Sequence, residues 1–159
     1  MIIREIEKRD WDFILKIQRD SYGFEFEEPR VSLESKVFFS KKTCFVIEID
    51  RVICGYIIAL PYPKNSYPAL NSIEYEPHKS NNIHIHDLAL SSEKRGAGLA
   101  SILFRFFEKK SKDFNFSSIS LVAVNGASEF WNKMNFKKEL PLHNMFSYGD
   151  NSEYMILSI

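Results

Sequence analysis

Apolar residues recur along the chain with two alternating periods, one typical of strands and one typical of helices. Residues 2–6 alternate between apolar and charged positions, which predicts a short first strand. Helical spacing then begins at Arg9-Asp10 and predicts a first helix that continues to Tyr22. Proline is favoured at the first position of a helix, so Pro29 predicts the start of a second, short helix.

The middle of the chain holds two apolar runs, which predict strands over Thr43–Ile49 and Val52–Leu60. The intervening Asp50-Arg51 is interpreted as a hairpin turn, although it lacks the strong Asn-Gly signal. Residues 61–81 follow as a long loop that holds four of the six prolines. Loops of this length within a domain are usually functional or disordered.

The second half repeats the alternation of strand and helix. Strands are predicted over Ile83–Leu90, Ile119–Val124, Phe136–Leu140 and Tyr154–Ile159. Helices are predicted over Gly96–Lys112 and Ala127–Met134. The order predicts an α/β (α+β) domain, with a mixed central sheet of about seven strands flanked by about four helices.

Composition narrows the class of protein. The 159 residues favour a single domain over 1–159, and a net charge of 0 argues against a nucleic-acid partner. No apolar run approaches the ~20 residues that span a bilayer, and residues 1–6 do not resemble a signal peptide, so we expect a soluble cytoplasmic protein without a membrane partner. Cys44 and Cys54 lack metal-ligand spacing and are expected to be reduced, with no metal bound. The oligomeric state stays open, a homodimer included.

One segment carries a chemical signal. The strand that ends at Leu90 leads through a short loop into Arg95-Gly96-Ala97-Gly98-Leu99-Ala100 and then into an amphipathic helix. Glycines at a helix start let a ligand approach the backbone, and the first-turn N–H groups have no intrahelical acceptor. The loop matches neither a Walker A sequence nor a dinucleotide fingerprint. It indicates a pyrophosphate site, with a glycine-rich helix entry that binds nothing as the alternative.

These residues resemble the signature of the GNAT superfamily of N-acetyltransferases, Arg/Gln-x-x-Gly-x-Gly/Ala at the start of the central helix. His86–Leu90 looks like the fourth strand of that family. Leu121–Ala127 and Phe130–Phe136 look like its fifth strand and the next helix. The resemblance covers nearly the full length and implies the GNAT-like acyl-CoA N-acyltransferase fold.

The resemblance also implies an acetyl-CoA cosubstrate and the residues that hold it. The backbone of Leu88, Ala89 and Leu90 pairs with the pantetheine arm, and the Leu88 N–H stabilises the oxyanion of the reaction. Asn125 reaches the pantetheine or the thiol end, and Phe130 completes the site. The pyrophosphate is held at the glycine loop and the first helical turn, comprising Arg95, Gly96, Ala97, Gly98, Leu99, Ala100 and Ser101.

Transfer to an amine needs a group that removes the ammonium proton. His84 and His86 are two apart on a strand and are predicted to share a face, which suits a proton acceptor near neutral pH. The pair also resembles the matching strand of the arylalkylamine (serotonin) N-acetyltransferases, where two histidines help to carry the proton away. The alternatives are ordinary buried histidines, or a metal site completed by His78 or His143. Asp87 is predicted to face the opposite side as a partner of an arginine or a backbone N–H, with a role as a catalytic acid or base as the alternative.

Two positions depart from the family pattern. Trp131 stands where many members have a tyrosine that protonates the leaving thiolate, so the acid becomes Tyr148, Tyr154 or water. Asn135 stands where glycine usually precedes phenylalanine, and asparagine tolerates the left-handed turn. These changes affect the expected general acid and leave the cofactor loop intact.

The acceptor pocket is expected between the first two helices, the 61–81 loop and the end of the chain. Its aromatic and acidic residues suit a small-molecule amine such as an arylalkylamine, a polyamine or an amino acid. A protein N-terminus or lysine is the alternative acceptor, and an acyl-CoA-sensing module or a scaffold without CoA the alternative function. The candidate pocket residues are Tyr22, Phe24, Phe26, Tyr62, Tyr67, Tyr75, Glu25, Glu27, Glu28, Glu74 and Glu76.

Overall fold

Seven strands form one sheet in the order β1-β2-β3-β4-β5-β7-β6 in the computed structural model, which describes residues 1–142 and 146–159. All neighbouring strands are antiparallel except β4 and β5, which are parallel. The predicted mixed sheet is therefore confirmed. The strands are β1 (Ile2–Glu5), β2 (Phe45–Ile49), β3 (Val52–Pro61), β4 (Asn82–Leu90), β5 (Ser118–Ala123), β6 (Lys137–Lys138) and β7 (Glu153–Ser158).

Four α-helices cover the two faces of the sheet within these ranges. One face packs against α1 and α2 through a cluster that includes Ile14, Leu33 and Tyr56. The other face packs against α3 and α4 through a larger cluster that includes Phe104 and Trp131. Their bounds are α1 (Trp11–Tyr22), α2 (Arg30–Phe39), α3 (Leu99–Asp113) and α4 (Ser128–Lys133).

Several predicted boundaries shift for identifiable reasons. Helix α3 begins at Leu99 rather than at Gly96, because Gly96 and Gly98 have φ of +80° and +76°, which a right-handed helix cannot contain. Strand β6 is shorter than the predicted Phe136–Leu140, since it pairs with β7 only through Lys137 and Lys138. The Asp50-Arg51 hairpin turn is confirmed, and both of its residues are left-handed, with φ of +51° and +65°.

Strand β4 carries an irregularity that changes which side chains share a face. Ile58 pairs with Asp87 while its neighbour Ala59 pairs with Ile85, so His86 is an extra residue in the ladder. Beyond this bulge the alternation is displaced by one position. The prediction that Asp87 faces away from His86 is therefore wrong, and both side chains lie on the side of α1 and α2.

The structure bears on the expectations about a membrane span and a metal site within the described ranges. No helix in these ranges is long and apolar enough to cross a membrane. No group of three or more His, Cys, Asp or Glu residues there is arranged to hold a metal ion. His143, considered above as a ligand, lies outside the described residues.

Candidate active site

The pairing of β4 is asymmetric. Along one edge β4 stays paired with β3 as far as Leu90, whereas along the other edge it pairs with β5 only over Asn82–Ile85. The two parallel strands therefore diverge, and the second half of β4 presents a free edge toward a gap. Such an edge can pair with an extended, amide-bearing ligand as it would with another strand.

The register identifies which residues face this gap. The Ser91 N–H donates to the Cys54 carbonyl at 2.8 Å, so the alternate residues Ala89 and Asp87 direct their backbone groups toward β3. Leu88 and Leu90 are then turned toward the gap. Of the three residues expected to pair with pantetheine, Ala89 is therefore engaged with β3 instead.

The free edge of β4 offers a ligand backbone N–H donors rather than carbonyl acceptors. The Leu88 carbonyl lies 3.0 Å from the Tyr22 hydroxyl, and the Leu90 carbonyl lies 3.4 Å from the Ser21 hydroxyl. Both carbonyls thus lie against hydroxyl groups of α1, and the single Tyr22 proton is shared between Leu88 and the closer Asp87 carboxylate. In the described part of the chain, the N–H groups of Leu88 and Leu90 remain for a ligand in the gap.

The glycine loop forms an open cradle at the end of this edge. A Cβ built on Gly96 or Gly98 meets nothing within 4 Å, so glycine is required there by its backbone conformation rather than by crowding. The Ile102 N–H makes the first helical bond, to Gly98 at 3.1 Å. The earlier amides of Leu99, Ala100 and Ser101 have no intrahelical acceptor, so the cradle fits a diphosphate.

The remaining cofactor candidates lie around the cradle. Arg95 is exposed and donates to the Ser21 hydroxyl at 3.0 Å, which ties the loop to α1. Asn125 is exposed just after β5 with a left-handed φ of +52°. Phe130 packs edge-on against Trp131 with ring centroids 4.9 Å apart. Asn125 and Phe130 do not line the cavity described next.

A cavity of about 100 Å³ adjoins the gap between β4 and β5. Its walls come from α1, the segment before α2, the long loop after β3, β4, β5, α4 and the segment before β7. Leu88 lines it, so the free edge and the cavity meet at this residue. Its polar and aromatic lining includes Gln18, Tyr22, Phe26, Glu28, His86, Asp87, Trp131 and Tyr148.

His86 and Glu28 form a buried pair in the cavity wall. His86 Nε2 lies 2.5 Å from Glu28 Oε1, and the two side chains are 0% and 4% exposed. Burial raises the pKa of Glu28, but the adjacent His86 ring and the Lys36 charge outweigh it and lower the pKa to about 2. His86 Nδ1 is buried and has no hydrogen-bond partner among the described residues.

Asp87 is a buried carboxyl held by two tyrosines. Tyr56 and Tyr22 donate to it at 2.5 and 2.7 Å. Burial raises the pKa of Asp87 to about 6 although both hydrogen bonds lower it. The expected arginine or backbone partner is therefore wrong, and within the described ranges Asp87 forms no ion pair with lysine or arginine.

His84 occupies a different environment from His86. It is buried, its Nδ1 lies 3.0 Å from Ser120 Oγ, and its ring stacks on Tyr154. Burial lowers the pKa of His84 well below its usual value, so the ring stays neutral. His84 does not line the cavity. His84 is thus buried away from the cavity, whereas His86 lies in its wall.

The candidate acids are also separated by the fold. Tyr148 lines the cavity, but its hydroxyl donates to the Pro68 carbonyl at 2.6 Å. Tyr154 lies away from the cavity and accepts from the Asn65 N–H at 2.9 Å. Trp131 lines the cavity in the position of the family tyrosine. Water is then the acid that remains from the sequence-based candidates.

The expected acceptor residues divide into two groups. Tyr22, Phe26 and Glu28 line the cavity. Four others are exposed on loops, namely Phe24 (87% exposed), Tyr75 (84% exposed), Glu25 and Glu76. The aromatic rings of Tyr62 and Tyr67 contact His78 and Tyr148, respectively. The carboxylates of Glu74 and Glu27 pair with His78 and Arg19, respectively.

Sequence reasoning missed three contributors: Gln18, Tyr56 and Leu70. Gln18 holds the backbone of Glu28, accepting from its N–H at 2.9 Å and donating to its carbonyl at 3.1 Å. It was detectable, since a polar residue interrupts the buried stripe of Trp11 and Ile14. Tyr56 lies within an apolar strand and Leu70 in a loop, where the sequence pattern gives no comparable signal.

Comparison with known proteins supports the geometry. Residues 11–136 match the model of the acetyltransferase (GNAT) family. A search of curated protein sequences returned no significant match.

Solved structures share the fold at low identity. Ard1 from Thermoplasma volcanium is 18% identical with a TM-score of 0.78, over 99% of this chain and 97% of that one. PaiA N-acetyltransferase from Thermoplasma acidophilum, in complex with coenzyme A, is 16% identical with a TM-score of 0.72, over 99% and 98%. A chain of the NatC complex bound to Gag peptide and CoA is 18% identical with a TM-score of 0.72, over 99% and 98%.

The family match spans most of the chain, and the divergent strands and the glycine cradle provide the expected places for an acyl-CoA. The chain therefore belongs to the GNAT family of acetyltransferases and is an N-acetyltransferase whose acyl donor is acetyl-CoA.

Proposed function

We propose that the protein transfers the acetyl group to the primary amine of a small molecule, by direct attack of the amine on the thioester. One observation carries this proposal. The cavity holds Asp87 and His86 Nδ1, an atom without a hydrogen-bond partner among the described residues, and it meets the free strand edge at Leu88. An acceptor amine and an acyl donor entering from the two sides meet at that residue.

The residues divide the chemistry between them. Acetyl-CoA supplies an activated thioester carbonyl. The first-turn amides of α3 hold its diphosphate, and the Leu88 N–H donates to the carbonyl oxygen as negative charge develops there. Asp87 binds the acceptor ammonium, and His86 Nδ1 accepts the proton that the amine must lose before it attacks. Water returns a proton to the leaving thiolate, a fair leaving group because free thiols titrate near ~8.5.

The polar atoms of the cavity favour an amine without a nearby carboxylate. The hydroxyl protons of Tyr22 and Tyr56 are committed to Asp87, and that of Tyr148 to Pro68. What these groups leave for a ligand are acceptors, namely the Asp87 carboxylate and His86 Nδ1. A cationic donor satisfies both, whereas the carboxylate of a free amino acid would meet the negative charge of Asp87. Arylalkylamines and polyamines are therefore preferred to amino acids.

The enclosure of the cavity supports a compact acceptor. The Tyr148–Pro68 bond and a bond from the Leu142 N–H to Asn65 at 2.7 Å tie the long loop to the chain after β6. Phe26 approaches the same region, 3.6 Å from a Cβ built on Gly149. These contacts narrow the route that an extended polypeptide needs, although NatC, of similar fold, was solved with a peptide.

A second candidate function is an acyl-CoA-binding module with weak turnover. Trp131 supports it, because an indole does not release its proton in the working pH range of an enzyme. Both candidate functions predict that the protein binds acetyl-CoA, and they differ in whether it transfers the acetyl group at an appreciable rate.

The experiment combines calorimetry with an amine panel. Acetyl-CoA should bind the purified protein, and Gly98→Glu should abolish binding by placing a carboxylate in the cradle. Asn81→Asp, a new charge on an exposed residue at the far end of β4, should bind like wild type. Release of CoA thiol should then be fastest with an arylalkylamine or a diamine, slower with the matching amino acid, and slowest with a peptide.

Each other outcome has a defined meaning. Binding without turnover on any amine supports the sensing module. Faster turnover on the peptide overturns the small-molecule acceptor. Absence of acetyl-CoA binding to the wild-type protein overturns the proposed function itself.

A further inference from the structure

Glu28 is fixed behind His86 by a network that leaves it little freedom. Its Oε2 accepts from the Ser32 hydroxyl at 2.9 Å and from the Asn71 N–H at 2.8 Å. Its backbone is held by both ends of the Gln18 amide. The remaining oxygen, Oε1, is directed at His86. A carboxylate bound on every side in this way is an orienting group rather than a mobile one.

The carboxylate determines which nitrogen of His86 carries the proton. An ionised carboxylate only accepts hydrogen bonds, so His86 Nε2 must be the protonated nitrogen. In the neutral ring Nδ1 then carries the lone pair. That atom is buried at the cavity without a partner in the described ranges, and leaving it unpaired is costly unless a ligand occupies the site.

We propose that Glu28 is a positioning residue for acetyl transfer, which fixes His86 with Nδ1 as the proton acceptor and stabilises the imidazolium that forms. The inference rests on the proposed function and extends it to a residue 58 positions away from His86 in the chain. The proton leaves the acceptor nitrogen, binds His86 Nδ1, and is later lost to water, so the pair returns to its starting state.

Lys36 completes the arrangement from α2. Its buried Nζ donates to the Ser72 carbonyl at 2.7 Å and to Ser32 Oγ at 3.2 Å, and Ser32 in turn donates to Glu28. Burial lowers the pKa of Lys36, while Glu28 and Glu74 raise it. A lysine ammonium at this place adds to the larger effect of His86 in lowering the pKa of Glu28 to about 2 against the opposing effect of burial. The carboxylate is thus available to His86 across the working pH range.

Among the described groups around His86, Asp87 is the one whose pKa is placed near neutral pH. Burial raises the pKa of each neighbouring tyrosine above its usual value and lowers that of His84, so these groups stay neutral. Asp87, with a pKa of about 6, is the exception. The titratable and charged groups around the pair are Tyr22 of α1, Lys36 of α2, Tyr56 of β3, His84 and Asp87 of β4, and Tyr148 before β7.

The test compares Glu28→Gln with the matched control Glu27→Gln. Glu27 is the preceding residue, and it pairs on the surface with Arg19 and does not line the cavity. Glu28→Gln should bind acetyl-CoA as wild type does and lose about 10- to 100-fold in kcat. The acid limb of its kcat profile, which reports the complex in which Asp87 already holds the ammonium, should move to lower pH because the imidazolium loses its carboxylate. The control should match wild type in kcat and in pH profile.

Two results would overturn the positioning role of Glu28. A third would overturn the proposed acetyl transfer and leave the contact between Glu28 and His86 unaffected. Wild-type kcat and pH profile in Glu28→Gln overturn the positioning role while the acetyl transfer stands. Nitrogen NMR of the wild-type histidine rings needs no variant to fold, and a neutral His86 protonated at Nδ1 also overturns it. If the wild-type protein acetylates no amine while NMR reports protonated Nε2 and bare Nδ1, the proposed function fails and the orientation of the ring by Glu28 is retained.

Discussion

The Tyr22 hydroxyl lies 2.7 Å from the Asp87 carboxylate and 3.0 Å from the Leu88 carbonyl. One phenol at the end of α1 therefore contacts both the carboxylate that we propose to bind the acceptor and the residue whose N–H we propose to face the acyl donor. The two halves of the site are joined through this hydroxyl.

Tyr22→Phe should weaken acceptor binding more than it slows the chemical step. Removal of a hydrogen bond to the ionised carboxylate raises the pKa of Asp87 further above about 6, so less of it is charged at neutral pH. We expect KM for the amine to rise about 3- to 10-fold at pH 6.5. The rise should shrink as the pH increases and Asp87 ionises again. Steady-state kinetics at several pH values measure this, with the exposed Tyr75→Phe as control. A pH-independent KM effect would contradict the explanation.

The pKa of Asp87 also predicts how stability depends on pH. A carboxyl whose pKa is raised on folding from 3.8 to about 6 loses stability as the pH rises through that window. The loss amounts to about 3 kcal/mol above pH 7, at ~1.4 kcal/mol for each unit of pKa. The asparagine of the Asp87→Asn variant cannot ionise and so avoids this loss. The difference between the free energies of unfolding of the variant and the wild type should therefore favour the variant more at pH 8 than at pH 4. Urea unfolding at both pH values measures the difference, and an equal difference at the two pH values would count against it.

The two histidines should separate in a pH–rate experiment. His84 has a pKa well below its usual value and lies outside the cavity, so it does not titrate in the working range. His84→Gln should therefore lower stability and leave the acid limb of the kcat/KM profile in place. His86→Gln should lower kcat by about 100-fold or more and leave in the kcat/KM profile only the acid limb that Asp87, with its pKa of about 6, produces. If the His84 variant alone changes the limb, the assignment of the proton acceptor to His86 is wrong.

Two glycines should respond to the same substitution for different reasons. A Cβ on Gly55 would collide with the Leu90 side chain and lie 2.8 Å from the Ala89 carbonyl oxygen, which forces β3 away from β4. Gly55→Ala should therefore cost about 2–3 kcal/mol of stability. A Cβ on Gly96 meets nothing within 4 Å, so the only cost of Gly96→Ala is that of placing alanine in a left-handed conformation. That cost is about 1 kcal/mol of stability. Chemical denaturation of the two variants compares the costs, and equal losses would refute the distinction.

The fold could be predicted from sequence because its signals are local. Alternation over residues 2–6 and helical spacing in α3 follow from which side chains face the core, and the glycine cradle is contiguous in the chain. The site depends on relations that no local pattern contains. The bulge at His86 is a property of the pairing between β3 and β4, and it brings Asp87 to the side of His86. The Glu28 contact joins residues on separate elements, and Tyr56 is indistinguishable in sequence from a core aromatic.

Because β4 diverges from β5, the stability of the sheet depends on the concentration of the acyl donor. A strand edge without a neighbour leaves backbone donors without protein partners and is a recognised liability for strand-mediated association. In the binding mode proposed above, acetyl-CoA in the gap takes the place of the missing neighbour and binds only the folded chain. At a concentration 100 times its dissociation constant such a ligand adds about 2.7 kcal/mol to the free energy of unfolding. A protein of this design is most resistant to unfolding and to edge-to-edge pairing when acetyl-CoA is abundant.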